Sequence, residues 1–111
     1  MGYRSEVCIA LDASAADSLN AYMEVLPNNK HIKELLNDAD GTIESEGVLK
    51  YYWDHIKWYE GYPGIDVLDT LLCNLPDEAY GFVRIGEDSQ DIEERGLPYE
   101  FDIHVTRSIT W

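Results

Sequence analysis

From Tyr3 to Leu11 the chain alternates: Tyr3, Ser5, Val7, Ile9 and Leu11 share one phase, and Arg4 and Glu6 the other. A period of two marks a half-buried strand. The period then lengthens. Leu19, Tyr22, Met23 and Leu26 fall at i, i+3, i+4 and i+7, the stripe of an amphipathic helix. Asp12 or Ser14 can cap that helix, Asp17 suits its first turn, and Pro27 stops it. Asn28 and Asn29 can cap a shorter helix in which Ile32, Leu35 and Leu36 share a face. From Val48 to Tyr59 the composition is that of a strand, with Tyr51, Tyr52, Trp53, Trp58 and Tyr59. Its phase changes near Asp54 and His55, which predicts a bulge there.

Gly61, Pro63 and Gly64 make a turn, and Ile65, Leu68, Leu72 and Leu75 mark a helix ended by Pro76. Ala79 to Ile85 is the next strand. Gly86 allows a sharp exit into an acidic segment, read as a short helix capped by Ser89 and closed by Gly96. In the last stretch Tyr99, Phe101, Ile103, Val105, Ile109 and Trp111 share one phase, interrupted only by Arg107. They oppose Glu100, Asp102, His104, Thr106 and Thr110, so this strand is expected to anchor the sheet. Strands joined by helical connections predict an α+β fold: one four-stranded, largely antiparallel sheet with helices packed on one face. Residues 1–111 fit a single domain, without internal repeats or linkers.

Charge changes the picture. Twenty-two acidic against eight basic side chains give a formal charge of −14, while 45% hydrophobic residues supply a real core. Such a polyanion repels nucleic acid and attracts basic surfaces. No apolar run resembles a signal peptide or reaches the ~20 residues of a membrane helix, so a cytoplasmic protein with no membrane partner is expected. Cys8 and Cys73 lack CxxC spacing and read as buried free thiols.

The opening MGYRSEV, the middle KWYEGYPGID and the later FVRIGEDSQDIEE resemble a group of small acidic proteins encoded by bacteriophages and prophages. That resemblance covers much of the chain and implies a phage product acting in the cytoplasm of a host bacterium. It assigns no chemistry to any residue. Many small phage proteins of this kind bind and disable a host enzyme.

The acidic segment is the main candidate for such a task. On a helix Glu87, Asp91 and Glu94 would share one face with neighbours ~5–6 Å apart. B-DNA presents a charge every ~3.4 Å along each strand, so such a row can imitate phosphates. The competing reading is a solvated helix whose acids only keep the chain soluble. Glu87, Asp88, Asp91, Glu93 and Glu94 are the candidate phosphate surrogates, supported by Glu44, Glu46, Glu100 and Asp102. Tyr51, Trp53 and Tyr59 read as core. Tyr52 and Trp58 read as exposed anchors of an interface, a role aromatics commonly take.

Other chemistry is poorly supported by the spacing. Asp38 to Glu46 resembles the middle of an EF-hand loop, but Leu36 and Gly47 stand where its first and last ligands belong. It reads as an acidic turn ahead of the aromatic strand. His31, His55 and His104 show no zinc spacing, and no nucleophile elbow or phosphate loop occurs. The expectation is therefore a protein that is not an enzyme and takes no metal or cofactor. It would be an inhibitor that imitates DNA in the basic groove of a host DNA-binding protein or nucleoprotein enzyme, such as a CRISPR complex, restriction enzyme, topoisomerase, gyrase or glycosylase. The alternative is a self-associating phage accessory protein, a homodimer through its aromatic strand, whose acids only solubilise it.

Overall fold

A computed structural model describes residues 3–25, 30–59, 61–88, 90–105 and 109–110. The expected helix stop and cap at Leu26, Pro27, Asn28 and Asn29 lie outside the described residues. So do the Ser89 cap and Thr106, Arg107 and Trp111 of the expected last strand.

The strand β1 (Ser5–Leu11) lies at the centre of a five-stranded antiparallel sheet ordered β2 (Gly41–Ser45), β3 (Val48–Ile56), β1, β4 (Tyr80–Ile85), β5 (Ile92–Gly96). Val7, Ile9 and Leu11 face a layer of three helices, α1 (Ala13–Val25), α2 (Lys30–Asn37) and α3 (Pro63–Cys73). All three pack on that one face, through residues such as Leu19, Ile32, Leu35, Leu68 and Leu72. Trp53 is 1% exposed in this core, and its indole N–H donates to the Leu35 carbonyl at 3.0 Å. An Asp12 carboxylate accepts the Ala15 N–H at 2.8 Å, the cap at the start of α1 that the sequence suggested.

β1 is not half-buried, because its second face is covered too. Cys8 and Ala10 lie there with Val83 and Ile85, under Phe101, Ile103 and Ile109. The expected last strand supplies that cover but does not join the sheet. Pro98 instead opens a 3₁₀ turn, Pro98–Phe101, which ends at Asp102 in a left-handed conformation. A separate two-stranded ribbon follows, β6 (His104–Val105) with β7 (Ile109–Thr110). Of the residues that the alternation placed on one face, Phe101, Ile103 and Ile109 are buried but Tyr99 is exposed, and the buried three lie across the sheet rather than beside a strand. Proline explains the difference, since it cannot donate to a ladder and favours the first turn of a helix.

Two further elements differ from expectation: both are strands, and with the last strand outside it the sheet has five strands rather than four. Gly41–Ser45, read as a turn, is the edge strand β2. It is joined to β3 by Glu46 and Gly47, both at positive φ (53° and 79°). Positive φ at both central residues is the geometry that closes a two-residue hairpin without splaying its strands. The acidic segment, read as a helix, is the strand β5, hairpinned to β4 in the register Arg84↔Glu93 and Phe82↔Arg95. Glu93 and Glu94 have low strand propensity, but cross-strand partners on β4 decide the matter.

Candidate partner-binding surface

Strand register fixes where each acidic side chain stands. Arg84 pairs with Val7 across β1 and with Glu93 across β5, so Arg84 and Glu93 lie on the helix-layer face of the sheet. Arg84 Nη2 donates to Asp91 Oδ1 at 2.8 Å, Nη1 to Asp91 Oδ2 at 3.2 Å, and Nε to Glu93 Oε1 at 3.2 Å. Nη1 also reaches Ser5 Oγ at 3.2 Å. One guanidinium thus ties β5 and the preceding turn to β1, the bidentate use for which arginine is suited. Tyr3 completes the cluster: its hydroxyl donates to Asp91 at 2.8 Å and accepts the Asp88 N–H at 3.1 Å. The Arg84 bonds and then the Tyr3 bond hold the Asp91 carboxyl below the ordinary aspartate range.

A cleft of about 430 Å³ opens beside this cluster, between α3 and β5. Trp58, Phe82 and Tyr59 give it aromatic walls, and Asp66, Asp69 and Arg95 contribute charge. Arg95 pairs with Asp69, stands 5.7 Å over the Phe82 ring, and lies 2.8 Å from Cys73 Sγ. Both thiols are free, but only Cys8 is buried; Cys73 is exposed on α3. Burial raises the Cys8 thiol to about 12. Among the described residues no group of three or more His, Cys, Asp or Glu is placed to hold a metal ion, and no helix is long and apolar enough to cross a membrane.

The nine candidate acids form no single row. Glu87 and Asp88 are exposed in the β4–β5 turn, Asp91 and Glu93 are bound to Arg84, and Glu94 points to the other face of β5. Glu44 and Glu46 belong to the β2–β3 hairpin at the opposite edge, four strand spacings or ~19 Å away. Glu46, Glu100 and Asp102 border a smaller cleft of about 250 Å³ with Lys50 there. Since the helix is absent, Glu87, Asp91 and Glu94 do not share a face.

Of the two aromatic candidates, Tyr52 is half-buried and donates its hydroxyl to Glu6, with Asp54 at 3.2 Å. Burial and that bond raise its pKa. Trp58 is half-buried against Trp53 and Phe82, with centroids 5.4 and 6.0 Å away, and lines the larger cleft. Sequence reasoning missed the Arg84 cluster. Its signal was present: a turn at Gly86–Asp91 places Arg84 opposite Glu93 as soon as Ile92–Gly96 is read as a strand.

No protein-family model, curated protein or solved structure matches the chain.

Proposed function

We propose that the protein is a phage-encoded acidic inhibitor, not an enzyme, which docks on the basic groove of a host DNA-handling protein and excludes DNA from it. The observation that carries this reading is the β4–β5 hairpin. It presents five carboxylates, Glu87, Asp88, Asp91, Glu93 and Glu94, against two guanidinium groups: Arg84 pairs with two of the five, and Arg95 is taken by Asp69 of α3. Pairing with Arg84 removes part of that charge and holds Asp91 and Glu93 in place, so less side-chain entropy is lost at those two on docking. Attraction to a basic groove is long-ranged, speeds encounter and weakens as salt screens it. The sheet edge and the cleft walled by Trp58 adjoin the hairpin and supply contacts that exclude water.

Self-association through the aromatic strand has less support, because β3 is paired on both edges, with β2 and with β1. The deciding experiment captures partners from bacterial lysate on the immobilised protein at low salt and then challenges the complex with duplex DNA. An inhibitor of this kind releases its partner to DNA and to added salt. The triple variant E87Q/D88N/E94Q, which leaves Arg84 and its partners intact, should capture at least about tenfold less. Capture that DNA does not displace, or that the triple variant retains in full, refutes the reading.

A further inference from the structure

We infer that the free edge of β5 is a docking strand: it takes an extended basic segment of the partner as a sixth strand of the sheet. This deepens the proposed function and rests on it. The backbone argument is independent of charge. Leu97 N–H donates to the Tyr80 carbonyl and Gly86 N–H to the Asp91 carbonyl. In an antiparallel ladder hydrogen-bonded pairs alternate, so Asp91, Glu93 and Arg95 turn their backbone groups toward β4. Ile92 and Glu94 turn theirs outward. The Ile92 N–H is taken by the Gln90 carbonyl at 3.1 Å. The Glu94 N–H and carbonyl and the Ile92 carbonyl have no partner among the described residues. Unpaired ladder groups on an edge strand are a template for another strand.

Charge selects the occupant. Glu93, held by Arg84, stands on one face of the edge, where Asp69 is already taken by Arg95, and Glu94 stands on the other with no ion-pair partner among the described residues. An incoming strand alternates its side chains in the same way, so lysine or arginine at two successive positions meets a carboxylate on each face. Opposite charges directly across a strand pair attract, and like charges repel. A second copy of this chain fits worse. Each copy carries −14, and the register centred on Glu94 sets that residue against its own equivalent. The other sheet edge, β2, offers only Glu44 among its five residues.

The test uses the intact protein and a capped peptide, Thr-Val-Lys-Arg-Val-Thr, at low salt. The control is the same peptide N-methylated at alternate residues, equal in charge but unable to complete a ladder. Peptide binding should slow hydrogen exchange at the Glu94 amide, and the methylated control should bind about tenfold more weakly, the equivalent of one or two lost backbone bonds. The Glu94→Pro variant, which takes no bond from β4, should lose the same factor. Glu94→Gln keeps the backbone donor and guards against a folding defect in the proline variant: it should retain exchange protection with weaker binding. Equal binding of both peptides, or saturation without protection of Glu94, overturns strand addition. If DNA-displaceable capture persists in that case, only the docking strand fails; if it is lost as well, the inhibitor reading fails with it.

Discussion

Gly81 is the point where the second core is decided. It stands beside Ala10 on β1 and Gly96 on β5, and this row of small residues lets the backbone of Pro98 lie directly on the sheet. A Cβ at Gly81 would meet Pro98 Cα at 2.6 Å, Pro98 N at 3.1 Å and the Phe101 ring at 3.3 Å. The nearest obstacle is backbone, so no rotamer change relieves it. Forcing a methyl group into a packed interior costs ~1–3 kcal/mol. Against that, replacing glycine by alanine where φ is ordinary gains ~0.4–1 kcal/mol through the unfolded chain. The clash wins, leaving Gly81→Ala destabilised by about 1–2 kcal/mol, or roughly 5–10 °C in Tm for a domain of this size. Thermal unfolding followed by circular dichroism reads that shift. Hydrogen exchange over residues 98–103 should accelerate, because the cover lifts before the sheet melts. Gly47→Ala is the control: at φ 79° with nothing within 4 Å, it carries backbone strain only and should leave exchange over 98–103 unchanged. A Gly81→Ala protein with wild-type Tm and protection would show that the terminal segment does not rest on the sheet as described.

Two further outcomes follow from the titrating groups. Since burial raises Cys8 to about 12 while Cys73 is exposed, a disulfide reagent at pH 8 should modify one thiol in the native protein and two in denaturant; two fast thiols would contradict the buried β1. The Cys8 shift also sets a sign: its folded pKa lies above the unfolded one, so its contribution is complete below about pH 8.5 and fades as pH rises toward 12. Asp91 has the opposite sign. Its folded pKa is depressed, so the hairpin's tie to Arg84 is complete above about pH 4 and is lost as pH falls through the folded value. Carboxyl NMR should find Asp91 titrating below the ordinary aspartate range, with the shift removed in Arg84→Gln; an ordinary aspartate titration for Asp91 in the wild type would show that the Arg84–Asp91 pair does not form in solution.

Apolar periodicity carried most of the fold. It located β1 and all three helices, whose burial is written into a repeat of two or about 3.6 residues, and it found Phe101, Ile103 and Ile109 of the terminal segment; β3 was legible from its aromatic composition and β4 from a short apolar run between turn residues. β2 and β5 escaped for one physical reason. Both are edge strands with exposed side chains, so Gly41–Ser45 and Ile92–Gly96 bear no apolar rhythm, and glutamate with flanking serine and glycine reads as a helix or a turn. Their conformation is imposed by β3 and β4. The candidate site suffered in the same way. Which carboxylates stand near one another depends on register, and register is a long-range property that composition does not contain. Within the Arg84 cluster, hairpin spacing could announce Arg84 with Glu93 and Asp91, but Tyr3 lies 88 positions from Asp91 and no local spacing reaches it.

The position of β1 has a consequence for how the molecule is made. Its partners, Trp53 on one side and Arg84 on the other, leave the ribosome long after Val7 does. At ~5–20 residues per second, the central strand waits some 4–15 seconds before its second edge is paired, and longer before Phe101 and Ile109 cover its Cys8–Ala10 face. Nascent-chain folding should therefore be late and abrupt, with chaperone contact concentrated on Val7–Leu11 until β4 arrives to close the ladder.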